Sequence, residues 1–407
     1  MNVFELRYIP FSPPDITDEE IEEVSNALKS GWITTGPRTK EFEARIAEYT
    51  GTNKAVCLNS ATSAMELVLR ILGIGPGDEV ITSAYTYTAS ASIIDHVGAK
   101  IVLVDTAPNS LEMDYDKLAN IINERTKIII PIDIAGRMCD YDKIYQVVES
   151  KRKYFKANNE LQELYNRIIV MADSAHAFGA ERKGIKCGQA ADITAFSFHA
   201  VKNLTTAEGG AVVWKSIPGL DDEELYRQFM LYSLHGQNKD AYAKMQKGAW
   251  EYDIIHLGYK CNMTDILAAL GLIQLKRYEG FLKRRREIIE IYDKLLHPMG
   301  VSSLEHYGSD FESTGHLYIA RIPGINEAQR NDIITKMANM GVTCNVHYKP
   351  LPMLTAYKKL GFDIKDYPNA YNYYKNEITL PLHTLLSNED IEYICKCLKK
   401  AIQEVAS

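Results

Sequence analysis

Basic residues are scarce relative to acids: 46 Lys and Arg stand against 53 Asp and Glu, a net charge of −7 over 407 residues. Nucleic acids and anionic membrane surfaces are held through a basic excess, so neither is expected as a main partner. Long apolar runs are missing too. The stretches Ile128–Ile134 and Ile168–Ala172 fall far short of the ~20 residues that a membrane span needs. The opening MNVFELRYIPFSPPD has no basic segment leading into an apolar one, so no secretory leader is expected. Cysteine is sparse and scattered, at 57, 139, 187, 261, 344, 395 and 397. An odd, unclustered set reads as reduced thiols in the cytoplasm. Cys395 and Cys397 form a C-x-C inside a helical pattern and point to different faces, which argues against a metal site. The glycine-rich stretch Gly73-Ile-Gly-Pro-Gly77 follows a helix and precedes a strand. A phosphate loop has the reverse order, so this is a turn. There is no internal repeat and no low-complexity segment.

What is present is an alternation of helical and extended patterns. Thr17 with Glu20 is a capping-box signature opening a helix that stops near Gly31. A second helix runs over Lys40–Tyr49, a strand over Ala55–Leu58 and a helix over Met65–Leu72. Strand-like runs follow at Glu79–Ser83, Lys100–Asp105, Lys127–Ile132, Ile168–Ala172, Ile193–Phe198 and Gly210–Trp214. They are almost continuously apolar, as strands buried on both faces are. The pattern is α/β with a mostly parallel sheet, whose ligands sit at the carboxyl ends of the strands. The charged stretch Glu149–Arg167 reads as a solvated helix.

From Thr264 to about His297 the pattern is one long helix, with Gly271 and Gly280 as its only interruptions. A smaller α+β unit follows: strand His316–Ile322, helix Glu327–Met340, strand Val342–His347, helix Ala370–Lys375, a short strand and a helix Asn388–Val405. The expected division is residues 1–263 as a large domain and 264–407 as a small one. Asp114-Tyr-Asp116 and Asp140-Tyr-Asp142 mimic a metal-binding D-x-D, but each precedes a helical pattern and reads as a cap.

Two segments carry chemistry. In Phe196-Ser-Phe-His-Ala-Val-Lys202 a buried-type strand runs into a polar loop with one lysine. An amine beside apolar residues can have a lowered pKa, which suits a Schiff base; a plain surface lysine is the alternative. In Ile168-Ile-Val-Met-Ala-Asp173 another buried strand ends in an acid, 29 residues before Lys202. One strand-loop-strand excursion of that length brings both to one sheet edge. A pyridine-ring aldehyde cofactor needs such a pair: the lysine holds the aldehyde and the carboxylate keeps the ring nitrogen protonated. The alternative for Asp173 is a helix cap.

Eight segments, in order, resemble the DegT/StrS family of pyridoxal-phosphate-dependent nucleotide-sugar aminotransferases, of fold type I (aspartate aminotransferase-like). They are Gly31–Pro37, Asn59–Ala64, Ser83–Thr88, Ala172–His176, Phe196–Lys202, Glu208–Gly210, Gly258–Asp265 and His347–Pro350. The resemblance covers nearly the whole chain. It implies pyridoxal 5'-phosphate bound through Lys202, with Asp173 on the pyridine nitrogen. It places His176 near the phenolic oxygen, the Tyr87 ring on the cofactor, and Thr62, Ser63 and Ser197 on the phosphate, the first two at a helix N-terminus. Asn262 matches a residue that reaches the phosphate of the neighbouring subunit, which implies a homodimer. His199, His347 and Tyr348 are candidate substrate contacts, and Lys349 could meet a diphosphate; the alternatives are that His199 only packs and that residues 347–349 only end a strand.

The chain departs from the family in having Lys260-Cys261-Asn262 where Asn-Tyr-Arg is common, and Ile132-Asp133 where Val-His is usual. Some relatives with His at the lysine position are dehydratases; Lys202 is intact, which favours amino transfer. The resemblance implies a cytoplasmic enzyme that moves nitrogen from an amino-acid donor, glutamate, to a nucleotide-linked keto-sugar. A UDP-4-keto-6-deoxy-N-acetylhexosamine on a route to surface polysaccharide is the favoured acceptor. A dTDP-3-keto-6-deoxyhexose is the alternative, and a non-enzymatic cofactor-binding regulator is the alternative of another class.

Overall fold

The computed structural model describes residues 7–238 and 251–406. Residues 1–6, the start of the segment read for a leader, lie outside the described residues. Helices α1 (Asp18–Lys29) and α2 (Pro37–Thr50) precede β1 (Ala55–Leu58) and α3 (Ala61–Ile71). Then come β2 (Glu79–Ser83), α4 (Ala89–His96), β3 (Lys100–Val104), α5 (Tyr115–Ile121), β4 (Thr126–Ile130), α6 (Tyr141–Ser150), α7 (Glu160–Tyr165) and β5 (Ile169–Asp173). After a minor hairpin of β6 (Glu181–Arg182) and β7 (Ile185–Lys186) follow β8 (Ile193–Ser197), β9 (Gly210–Trp214), α8 (Asp222–Ser233) and α9 (Asp265–Leu296).

The main sheet has seven strands in the order β1-β9-β8-β5-β4-β2-β3, and β9 alone runs against the others. Its strands are buried on both faces, as their apolar character requires. Successive residues feed opposite layers: Val56 and Leu58 join one apolar cluster, Ala55 and Cys57 the other. Gly210 matters to the site, because a Cβ there would stand 2.3 Å from the Ala61 amide. Glycine lets the start of β9 lie against the N-terminus of α3.

The remaining elements are β10 (Ser302–Ser303), β11 (Phe311–Glu312), β12 (Tyr318–Arg321), α10 (Glu327–Asn339), α11 (Thr355–Lys359), α12 (Pro368–Tyr374), β13 (Glu377–Leu380) and α13 (Asn388–Ala406). Strands β10, β12 and β13 form a second sheet over a third apolar cluster. The 32-residue α9 is uninterrupted at either glycine. Its Ala268, Tyr278 and Phe281 pack with the main sheet, and its Ile288, Ile289 and Tyr292 pack with the small one. We propose the domain division at the start of α9. Two segments cross it: Ile9 packs in the third cluster, and Leu351, Tyr357, Ala370 and Tyr373 pack against the main sheet. Among the described residues no helix is long and apolar enough to cross a membrane.

Two expected elements differ. Glu149–Arg167 is not one solvated helix: α6 stops at Ser150, and α7 starts at Glu160 behind an Asn159 cap. Asn159 Oδ1 accepts from the Gln162 amide at 2.9 Å, and buried Gln162 Nε2 donates to the Leu72 carbonyl at 2.8 Å, so the segment turns back onto the core. Val342–His347 forms only isolated bridges, because Val342 pairs with Ile9 while Asn345 pairs with Thr379. The D-x-D acids are caps, as expected: Asp114 accepts from the amides of Asp116 and Lys117, and Asp140 from that of Lys143.

The capping box of α1 has a second use. Glu20 is 1% exposed; besides Thr17 it accepts from Gln274 Nε2 at 2.9 Å and Arg277 Nη1 at 2.5 Å, both on α9. Burial alone would raise its pKa, but the bonds from Thr17, Arg277 and Gln274 outweigh it and hold the carboxyl at about 2. A lowered carboxyl pKa stabilises the fold above the unfolded value of 4.5 and loses that contribution as pH falls toward 2. The shift corresponds to about 3 kcal/mol. Glu20→Gln is expected to lose most of this at pH 7, and the gap from wild type in urea melts should close between pH 4.5 and 2. A gap independent of pH would refute the electrostatic account.

Candidate active site

The carboxyl ends of β1, β2, β4, β5 and β8 open on one cavity of about 350 Å³. This is the sheet edge where parallel α/β proteins hold ligands. Strands β5 and β8 are neighbours with Asp173 opposite Ala195, so the acid and the loop carrying Lys202 share that edge. Lys202 Nζ makes no hydrogen bond or ion pair among the described residues. Burial lowers its pKa to about 8, against the opposing pull of Asp173. Asp173 is 6% exposed; Oδ2 accepts from Ser90 Oγ at 2.6 Å and Oδ1 from the Ala175 amide at 3.2 Å. Burial raises its pKa, and Ser90, Ala175 and Lys202 only partly offset that.

His176 Nδ1 accepts from the Ala135 amide at 3.1 Å. A backbone N–H can only donate, so the ring proton is on Nε2, 3.1 Å from Tyr348 Oη. Burial, then Lys202, drives the His176 pKa well below its usual value, so the ring is neutral. The Tyr87 and Tyr348 rings stand 5.8 Å apart on the cavity wall, which His199, Ser197 and His347 also line.

At the other end, Ser60, Ala61 and Thr62 of the α3 N-terminus face the cavity. Ser60 caps the helix by accepting from the Ser63 amide at 3.1 Å. Ser63 does not line the cavity: its hydroxyl donates to Asn59 Oδ1 at 2.7 Å and the Ser60 carbonyl at 2.9 Å. An 11-residue helix with this entry is a natural anion site. Asn262 lies outside the cavity of its own chain, with its amide 2.5 Å from Thr35 Oγ1. Asp133 lines the cavity, but its carboxylate serves the protein, taking bonds from Cys139 N, Tyr141 Oη and Ser174 Oγ at 2.8, 2.9 and 2.6 Å.

A family model described as the DegT/DnrJ/EryC1/StrS aminotransferase family matches residues 14–399. The chain belongs to this family. It is 36% identical over 402 residues to the spore coat polysaccharide biosynthesis protein SpsC of Bacillus subtilis, covering 97% of both. It is 35% identical over 408 residues to the UDP-4-amino-4-deoxy-L-arabinose–oxoglutarate aminotransferase of Shewanella sediminis, covering 97% of this chain and 98% of that one. Among solved structures it is similar to Spr1654 of Streptococcus pneumoniae, a protein assigned as a sugar aminotransferase and solved in PMP, apo and PLP forms. The PMP form superposes with a TM-score of 0.95 at 55% identity, over 98% of this chain and 99% of that one. The chain has the family's fold type I architecture and is a pyridoxal-phosphate-dependent transaminase.

The residues present fit that cofactor. A buried carboxylate without a cation and a buried amine without a partner are each costly. A protonated ring nitrogen satisfies the first and an aldehyde the second. Two residues here escaped the sequence reading. Ser60 had a legible signal, a serine just before an apolar helical run. Ser90 had none, because only the packing of α4 beside β5 brings it to Asp173.

Proposed function

We propose that this enzyme transfers an amino group from an amino-acid donor, glutamate, to the ketone of a nucleotide-linked sugar. The favoured acceptor is a UDP-4-keto-6-deoxy-N-acetylhexosamine, on a cytoplasmic route to surface polysaccharide. The observation that carries it is the pair formed by unpartnered Lys202 and buried Asp173 in one cavity. The names of its relatives support a sugar acceptor and a polysaccharide route.

When bound, pyridoxal phosphate supplies an aldehyde that takes up nitrogen and a ring that accepts carbanion charge. Lys202 would hold the aldehyde and, once released, move a proton at Nζ; a pKa near 8 suits an amine that must both gain and lose one. Asp173 would hold the ring nitrogen protonated. His176 would offer Nε2–H to the phenolic oxygen, and the Tyr87 ring would cover the cofactor. Ser60, Ala61, Thr62 and Ser197, which line the cavity, would hold the phosphate, and Asn262 would reach across to the phosphate of a partner subunit. His199, His347 and Tyr348, which line the cavity, and exposed Lys349 would meet the substrate.

The test loads the enzyme as its pyridoxamine form and adds the UDP-linked 4-keto sugar, with a dTDP-linked 3-keto-6-deoxyhexose in parallel. The pyridoxal absorbance should return with the UDP sugar, mass spectrometry should find an amine in place of its ketone, and the active sample should sediment as a dimer. Turnover with simple keto acids but with no nucleotide sugar refutes the proposal.

A further inference from the structure

Glu377 and Thr379 stand two apart on β13, hence on one side of the strand, and both are fully buried. Thr379 Oγ1 lies 3.0 Å from His347 Nδ1 and 3.4 Å from Glu377 Oε2. His347 lines the cavity of Lys202. Its ring stacks on Phe11 at 5.5 Å and meets the edge of Tyr348 at 4.9 Å, and its carbonyl accepts from Tyr85 Oη at 3.0 Å. With Nδ1 committed to Thr379, Nε2 has no partner among the described residues.

The direction of this chain follows from Glu377. Its Oε1 is buried without a hydrogen-bond partner. No guanidinium pairs with it: Arg330 Nη1 donates to the carbonyls of Tyr374 and Glu377 at 3.1 and 3.0 Å, and Arg321 turns to Asn376 and the Asn372 carbonyl. Burial pushes the carboxyl up to about 8, so it is protonated at neutral pH. A neutral acid has one O–H to donate, and Thr379 Oγ1 is the acceptor in reach. The threonine, accepting there, donates its own proton to His347 Nδ1. A ring nitrogen that accepts carries no proton, so that of the neutral ring sits on Nε2. Burial, then Lys202, holds the His347 pKa at about 4, which keeps the ring neutral.

We propose that Glu377 is a positioning residue which, through Thr379, fixes His347 as the Nε2–H tautomer, so that His347 offers a hydrogen-bond donor to a substrate oxygen in the cavity. The donor role rests on the reading of this cavity as the place of amino transfer; the tautomer does not. Arg330 of α10, Arg321 of β12, Tyr85 after β2 and Tyr373 of α12 also face Glu377. Burial raises both tyrosines, and Glu377 titrates near pH 8. Lys202, which faces His347, titrates there too. Rate alone would confuse the two, and the tautomer does not.

The experiment records nitrogen NMR spectra of holoenzyme labelled with ¹⁵N-histidine, with the His347 signals identified by their loss in His347→Asn. At pH 7 Nε2 should carry the proton and Nδ1 should be bare. Above pH 8, as Glu377 ionises, the threonine hydroxyl should turn to it and the proton should move to Nδ1. Glu377→Gln, whose amide donates as the neutral acid does, should keep Nε2–H at every pH. Thr379→Val should lose the preference and lower kcat/KM for the UDP-linked keto-sugar about tenfold, the worth of one hydrogen bond, with Thr379→Ser restoring both. A proton on Nδ1 at pH 7, or a pH-dependent tautomer that persists in Glu377→Gln, overturns the relay. Loss of the Nε2–H preference in Thr379→Val with unchanged turnover overturns the donor role.

Discussion

Replacing Lys202 by alanine should lower amino transfer about 10⁴-fold or more, because on the proposed assignment it removes the amine that would capture the cofactor and move the proton. Lys202 is the sole lysine of the cavity wall among the described residues. With a pKa of about 8, about a tenth of its population is a neutral nucleophile at pH 7, against about one in 3,000 for an unshifted lysine. Lys202→Arg separates charge from nucleophilicity, since a guanidinium keeps the charge and does not deprotonate. It should be as inactive as the alanine variant. Borohydride reduction of wild type followed by peptide mapping should put the pyridoxyl group on residue 202. A label on another lysine, or an active arginine variant, ends the assignment.

Asp173→Asn should retain cofactor on Lys202 and yet lose transamination about 10³-fold, the scale for removing one preorganised charge from a dry site. The asparagine has the same shape. It can accept from the Ala175 amide and donate to Ser90 Oγ, so the pocket keeps its geometry and loses only its negative charge. On the proposed assignment that charge would hold the ring nitrogen protonated. Because burial raises the Asp173 pKa, acid should weaken the wild type sooner than an ordinary carboxylate would allow, and that acid limb should vanish in the variant. Turnover near wild type in Asp173→Asn refutes the role.

The strands of the main sheet were legible because burial on both faces writes itself as near-continuous apolar runs, and β2 and β9 match their expected bounds to the residue. The capping box at Thr17 and the D-x-D caps were legible because they act within three residues of chain. The smaller sheet was harder. Val342–His347 looks extended in sequence, and its pairing depends on two partners far along the chain, Ile9 and Thr379. His316 reads as strand, yet its amide is drawn to the Ala135 carbonyl at 3.0 Å and β12 begins only at Tyr318.

The sequence by itself determined the fold class and the family, and it pointed to the sheet edge that Lys202 and Asp173 share, since strand burial and motif order are written along the chain. Only the tertiary structure decided what surrounds them. Ser90 on Asp173, Ala135 on His176 and Thr379 on His347 lie 83, 41 and 32 residues from their partners. A hydrogen bond between groups so far apart along the chain depends on how the elements pack, and no local pattern records it.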